Sequence, residues 1–145
     1  MQNPYQMFET DTNLEKTGIW IDYGSFRIKT AFAGGANTKH ERLMTAKTKP
    51  HLHSIQSQTI DKELERKISV DVWSETVFLD WETTDAKTGK VENILLSKKG
   101  EKLKFSKENV KKIMNDLPKL FQDLQRQSLN FNLFKQDIVE EDVKK

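Results

Sequence analysis

A glycine-rich turn is the first segment of the chain whose residue types could do chemistry. Gly34-Gly35 precedes Ala36-Asn37-Thr38-Lys39 and links a predicted strand to a predicted helix, which is where phosphate-binding loops occur. The spacing does not fit GxxxxGK[ST], because no glycine precedes the lysine at the required place, and it does not fit GxGxxG. We therefore interpret the segment as a turn that needs positive φ angles or a close backbone approach.

The sequence contains no motif that indicates a catalytic nucleophile or a metal site either. His51 and His53 are two residues apart, a spacing that shares a face on a strand but not on a helix, and no HExxH or carboxylate cluster surrounds them. Ser25 lies outside a GxSxG elbow, and the chain contains no cysteine. The many carboxylates fall on predicted solvated helix faces. The sequence thus predicts a protein that is not an enzyme and has no cofactor and no metal.

Length and composition indicate a single domain with a modest core. It has 145 residues, 35% hydrophobic and 32% charged, and its 24 basic and 22 acidic residues are interspersed, so no nucleic-acid-binding face stands out. No apolar run approaches the roughly 20 residues that span a bilayer, and the N-terminus lacks a signal-peptide pattern. We expect no nucleic-acid or membrane partner and a cytoplasmic location.

The elements that must position any site are those of an α+β fold, mostly helical. Alternation in the segment 18–32 predicts an N-terminal β-hairpin, and a possible second hairpin lies around 91–105, with a small helical domain making up the rest. We divide the chain into a flexible N-terminal arm (1–17), a single α+β domain (18–134) and a charged, frayed tail (135–145).

Helix signals are strongest in the middle of the chain. Ile60, Leu64, Ile68 and Val72 recur every four residues, and Val77 and Trp81 roughly continue the stripe, which predicts a helix over about 61–81. Asn37 is a candidate N-cap for a helix through Lys47, and Ser106 is one for a later helix. Pro118 predicts either a kink or a new helix capped by Asp116.

A long apolar stripe runs from Val110 to Phe134, and one small core is not expected to bury all of it. Exposed apolar patches of this kind mark interaction sites. Its first half could equally pack on the 61–81 helix, whereas for Phe131–Phe134 we favour a partner or self-association surface. The candidate partner-binding residues are Leu117, Leu120, Phe121, Leu124, Phe131, Leu133 and Phe134.

The order of several short motifs resembles a family of small tailed-bacteriophage proteins, the tail assembly chaperones and related tail accessory proteins. The motifs are Ile21-Asp22-Tyr23-Gly24-Ser25-Phe26-Arg27-Ile28, Ala33-Gly34-Gly35-Ala36-Asn37, Thr48-Lys49-Pro50, Val77-Phe78-Leu79-Asp80-Trp81-Glu82, Phe105-Ser106-Lys107-Glu108-Asn109 and Asn115-Asp116-Leu117-Pro118-Lys119-Leu120-Phe121. The resemblance covers about 18–134. The motif residues to which it gives a structural role are Asp22, Tyr23, Gly24, Arg27, Gly34, Gly35, Pro50, Trp81, Asn109 and Pro118.

The resemblance implies binding rather than catalysis. Such chaperones coat the phage tape-measure protein in the infected host cytoplasm and keep it soluble until tail-tube subunits displace them. It leaves self-association into a homo-oligomer open. The main alternative is a structural virion component, such as a tail-completion or head–tail joining protein. This chain departs from the family pattern between Glu82 and Phe105, where it is longer and richer in lysine.

Overall fold

A computed structural model describes residue 1 and residues 3–135, so the predicted tail lies outside the described residues except for Lys135. Two 3-10 helices, Lys49–His51 and Phe131–Phe134, accompany the regular elements. In chain order the regular elements are α1 (Pro4–Phe8), α2 (Thr12–Thr17), β1 (Ile19–Asp22), β2 (Phe26–Thr30), α3 (Thr38–Thr48), α4 (Leu52–Gln56), α5 (Lys62–Thr76), β3 (Phe78–Thr84), β4 (Val91–Glu92), β5 (Ile94–Leu96), β6 (Lys102–Lys104), α6 (Lys107–Asp116) and α7 (Pro118–Ser128).

The first 17 residues differ from the loose arm expected for them, because they contain the two short helices α1 and α2. The Asn3 side chain accepts from the backbone N–H of Gln6, whose side chain accepts from the Asn3 N–H in return. The carboxylate of Asp11 caps α2 by accepting hydrogen bonds from two amides of its first turn. Capping side chains can thus start helices in a polar segment that has no apolar period.

The N-terminal β-hairpin is confirmed and forms half of a four-stranded antiparallel sheet with the order β1-β2-β3-β4. In this main sheet Ile21 lies opposite Ile28, which in turn lies opposite Trp81 on β3. Gly24 occupies the hairpin turn with a φ of +95°, which favours glycine. The α+β fold class is confirmed.

The segment around 91–105 divides between two sheets. β4 adds a two-residue edge to the main sheet, whereas β5 and β6 pair with each other as a separate hairpin in which Leu95 lies opposite Leu103. The indole Nε1 of Trp81 donates to the Leu103 carbonyl oxygen at 3.1 Å, which ties the small hairpin to β3. The predicted second hairpin is therefore present, but it is shorter than expected.

The predicted helix over 61–81 is wrong beyond Thr76. α5 ends there, and residues 78–84 form β3 instead. β3 pairs with β2, its Phe78 and Trp81 side chains are completely buried, and aromatic and β-branched residues favour a strand. Val77 is the C-cap of α5, so the apolar stripe follows the helix to its end, and only Trp81, four residues further on, lies in β3.

Local helix signals fare better in the second half of the chain. The hydroxyl of Ser106 accepts from the Asn109 N–H at 3.1 Å and caps α6, as predicted. Pro118 starts a new helix rather than kinking one, but Leu117 and not Asp116 is the N-cap of α7. Asn37 precedes α3 without capping it, because its amide donates to two carbonyl oxygens elsewhere.

The core lies between the main sheet and helices α5, α6 and α7. Trp73 and Phe78 each meet the Phe121 ring edge-to-face, with ring centroids 6.2 Å apart. Among the described residues no helix has the length and apolarity to cross a membrane. The largest side chains that are completely buried are those of Trp81, Phe78, Phe134, Ile28, Met114 and Leu124.

Candidate functional site

An apolar groove of about 510 Å³ opens between the β5–β6 hairpin and the junction of α6 with α7. Main-sheet residues reach the groove from β2 and from the end of β3. The apolar residues that line it are Phe26, Ala86, Ile94, Leu95, Leu96, Ile113, Leu117 and Leu120.

The helical wall of the groove follows from the break at Pro118. Ile113, Leu117 and Leu120 are spaced four and three residues apart, which is the spacing of one helix face. Because α7 begins anew at Pro118, Leu117 becomes its N-cap with extended φ and no side-chain cap hydrogen bond. Its side chain remains 50% exposed at the groove instead of entering the core.

The opposite wall is the β5 strand. Ile94 and Leu96 are two apart and therefore lie on one face of that strand, and Leu96 is 50% exposed. The hydroxyl of Thr83 donates to the Ile94 carbonyl oxygen at 2.7 Å, which fastens β5 to the main sheet. A strand held at its backbone gives this wall a defined position relative to α6 and α7.

Charged side chains surround the apolar floor. Asp85, Lys90, Glu92 and Lys102 line the groove, and the Lys102 Nζ lies 2.9 Å from a Glu92 carboxylate oxygen. An apolar floor with a charged rim is suited to binding a ligand that has one apolar side. Burying the exposed half of a leucine such as Leu117 is worth roughly 1 kcal/mol.

The candidate partner-binding residues do not form one surface. Leu117 and Leu120 line the groove, whereas the expectation of an exposed surface fails for Phe121, Leu124 and Phe134, which are at most 3% exposed. The stripe of α7 turns toward the core, where Phe121 meets the aromatic rings of α5 and β3. The first half of the stripe thus packs inward, the alternative that the sequence left open.

The segment 131–134 is covered by the N-terminal helices. The Asp11 N–H donates to the Phe134 carbonyl oxygen at 2.9 Å, and the Phe134 ring meets Phe32 edge-to-face at 5.1 Å. Phe131 is half-buried and stacks on Phe8 at 5.5 Å, and Leu133 is half-buried as well. A partner surface at this end would require the first residues of the chain to move away.

The glycine-rich turn is a structural turn, with a φ of +143° at Gly34 and +52° at Gly35. The buried carboxylate of Glu15 fills it and accepts a hydrogen bond from the Ala36 N–H at 3.3 Å. A Cβ on Gly35 would lie 2.5 Å from a Glu15 oxygen. The chain's own carboxylate therefore occupies the place in which a phosphate loop would hold its ligand.

The histidines make no common site. His51 lies in a 3-10 helix and His53 in α4, so the strand on which they would share a face is not formed. His40, which no sequence motif marked, is buried, with its ring 4.4 Å from that of Trp73 and its Nδ1 3.1 Å from the Thr76 hydroxyl. Burial lowers the pKa of His40. Among the described residues, no group of three or more His, Cys, Asp or Glu could hold a metal ion.

Several motif residues make contacts within the fold. The Tyr23 hydroxyl donates to the Asp123 carboxylate at 2.6 Å, which ties the hairpin to α7. Burial and the hydrogen bond to Asp123 raise the pKa of Tyr23, while the hydrogen bond from Tyr23 lowers the pKa of Asp123. The guanidinium of Arg27 pairs with Glu82 on β3 and lies 4.2 Å from the ring centroid of Trp20.

The remaining motif residues stabilise turns and helix ends. The Asp22 carboxylate accepts from the Gly24 N–H at 2.7 Å within the hairpin turn. The Asn109 amide donates to the Lys104 carbonyl oxygen at 2.9 Å and so joins β6 to α6. Pro50 lies in the first 3-10 helix. None of the ten motif residues to which the resemblance gives a structural role lines the groove.

Comparison with known proteins gives one match. Neither a curated protein nor a solved structure matches the chain. Residues 35–145, well over half of the sequence, match the family model described as YdaY prophage protein. Because the match covers most of the sequence, the chain belongs to the phage-derived YdaY prophage protein family.

Proposed function

We propose that this protein is a tail assembly chaperone that binds the tape-measure protein of its phage through the groove. The observation that carries the proposal is the pair of half-exposed leucines, Leu96 and Leu117, that face one apolar groove from two different elements. Membership of a prophage protein family and the motif order that resembles tail chaperones support it.

The groove suits a helical client in physical terms. A helix can bury apolar side chains at positions such as i, i+3, i+4 and i+7 in an apolar groove, and a long client with many such faces aggregates when they stay exposed. A groove of about 510 Å³ engages one short stretch of client. The proposed function requires a contact weak enough for tail-tube subunits to displace it. In this proposal the protein works by binding in the host cytoplasm, without a cofactor or metal.

The test is co-expression of the tape-measure protein with the chain or its variants, followed by measurement of soluble client and of co-purification. We expect the native chain to raise the soluble fraction and Leu117→Asp to abolish this effect. Leu52→Asp is the matched control, because Leu52 is 51% exposed and also lies at a helix N-terminus. A client that is equally soluble without the chain, or that never associates with it, contradicts the proposal.

A structural role in the virion is the competing outcome. A chaperone is displaced during assembly, so mass spectrometry of purified particles should not find this chain at stoichiometric amounts. Detection of the chain in finished particles at a fixed ratio to the tail-tube protein would replace the chaperone function with a tail-completion or joining function.

A further inference from the structure

Positive charge is concentrated beside the groove. The segment 85–104 contains six lysines and three carboxylates, an excess that is larger than the net charge of +2 on the whole chain. All six lysines are exposed, and one of the three carboxylates, that of Glu92, already pairs with Lys102. The lysines are Lys87, Lys90, Lys98, Lys99, Lys102 and Lys104.

This lysine-rich segment is itself one side of the groove. It contains Ile94 and Leu96 of the β5 wall. Lys90 and Lys102 line the groove together with Asp85 and Glu92, so the excess positive charge comes from exposed lysines of the segment beyond the lining. Lys98 and Lys99 form the turn of the β5–β6 hairpin just beyond Leu96. A ligand that extends along β5 past Leu96 therefore comes next to the positive charges of Lys98 and Lys99.

β5 is only three residues long and pairs with a strand on one edge, so its backbone offers little to a further strand. β5 pairs with β6, and the Ile94 carbonyl oxygen accepts from the Thr83 hydroxyl. The groove thus offers apolar side chains more than free backbone groups, and an added strand would gain few hydrogen bonds there. A helix satisfies its own backbone hydrogen bonds and needs only side-chain contacts.

We infer that the groove binds an amphipathic helix whose apolar face is flanked by aspartate or glutamate on the side that meets the lysine-rich segment. This inference rests on the proposed function and names the chemistry of its client segment. Because exposed ion pairs add little affinity each, the lysines mainly set the orientation of the helix and its association rate, while the leucines hold it.

The test uses the full chain and two designed amphipathic peptides that share the same leucine face and carry either Glu or Lys on the flanks. Binding is measured by fluorescence anisotropy at about 50 mM and about 500 mM salt. We expect the acidic peptide to bind about tenfold tighter at low salt, with most of the difference lost at high salt.

Charge reversal locates the effect. Lys98→Glu with Lys99→Glu should remove most of the preference for the acidic peptide. The matched control reverses two exposed lysines elsewhere, Lys49→Glu with Lys67→Glu, and should retain that preference although the net charge changes equally. Leu117→Asp should abolish the binding of both peptides.

The outcomes separate this inference from the function on which it rests. Equal binding of both peptides, lost in Leu117→Asp, would overturn the acidic partner while leaving a groove that binds helices. A preference that the control pair removes as fully as the hairpin pair would also overturn it, because it would then reflect net charge alone. Self-association that competes with the peptide in sedimentation would assign the groove to a second copy. Failure of tape-measure binding is a separate result, read from the co-expression experiment.

Discussion

The two ends of α7 are similar in sequence and opposite in structure. At its start, Leu117 and Leu120 lie at an open groove, whereas beyond its end Phe134 is completely buried. Apolar residues are as dense at one end as at the other. The difference arises because the first 17 residues of the chain cover the far end and nothing in the described residues covers the near end.

Polar contacts distinguish the closed end as well. The Ser128 carbonyl oxygen accepts from the Ala33 N–H at 2.9 Å, and the Ser128 hydroxyl accepts from the Trp73 indole at 3.0 Å. Buried hydrogen bonds of this kind fix geometry, because each is costly to leave unsatisfied. One end of α7 is thus fixed by buried contacts, whereas the other end leaves apolar side chains exposed.

Phe134→Ala should have the largest effect on stability. Removing a fully buried aromatic ring costs about 3–5 kcal/mol in the free energy of unfolding, which urea denaturation measures. Leu129→Ala is the control, since Leu129 is 52% exposed and lies between the end of α7 and the 3-10 helix that contains Phe134. A loss below about 1 kcal/mol would mean that the cover over this end contributes little.

Ser128→Ala should cost about 1–3 kcal/mol, because it leaves the buried Trp73 N–H without an acceptor. Ser57→Ala, at an exposed position near the end of α4, should cost much less. Urea denaturation of both variants gives the comparison, and equal effects would show that the indole hydrogen bond does not stabilise the closed end.

Gly35→Ala should cost about 1–2 kcal/mol for the left-handed backbone, plus the clash of its new Cβ with Glu15. Gly89→Ala isolates the first part, because Gly89 has a φ of +72° and open space around it. Adding Glu15→Ala to Gly35→Ala should remove the clash, so the two changes should not be additive in thermal denaturation. Strict additivity would argue against the packed turn.

His40 should make stability depend on pH. Because burial lowers its pKa below the ordinary 6.5, its stabilising contribution is complete above pH 6.5 and is lost as the pH falls through the folded-state pKa. Urea denaturation between about pH 8 and about pH 5 should show this loss in the native chain and not in His40→Gln. His53→Gln, at an exposed position, should keep the native pH profile.

Leu117→Asp should have the smallest effect on stability, within about 1 kcal/mol in either direction, because the gain at the N-cap of α7 opposes the lost burial and the negative charge at the C-cap of α6. Leu117 is half-exposed and is the N-cap of α7, a position at which aspartate is preferred. Denaturation and client binding measured on the same preparation separate folding from function. A substantial loss of stability would show that Leu117 belongs to the core.

Local sequence signals predict much of this fold. The hairpin of β1 and β2, the Ser106 cap of α6 and the new helix at Pro118 all follow from residue types and short spacings. The boundary between α5 and β3 does not, because Trp81 keeps the four-residue spacing of the helix stripe although it lies in β3, where pairing with β2 decides the structure.

The site could be predicted only in part, because local signals reveal its helical wall but not how the strand wall meets it. Leu117 and Leu120 stand out as an apolar stripe, but Ile94 and Leu96 read only as a hairpin strand, since their meeting with α7 depends on tertiary structure. The burial of Phe134 was unpredictable from its own segment, because the residues that cover it lie more than one hundred positions earlier.

The order of the main sheet has a consequence for dissecting the protein. The stretch shared with the family begins at residue 35, after β1 and β2, while β3 and β4 lie within it. A recombinant fragment that begins at that point would leave β3 with a long unpaired edge and expose Trp81 and Phe78. Such an edge promotes aggregation. The homologous unit and the smallest folding unit of this chain are therefore different, and work on the isolated shared stretch would study a broken sheet.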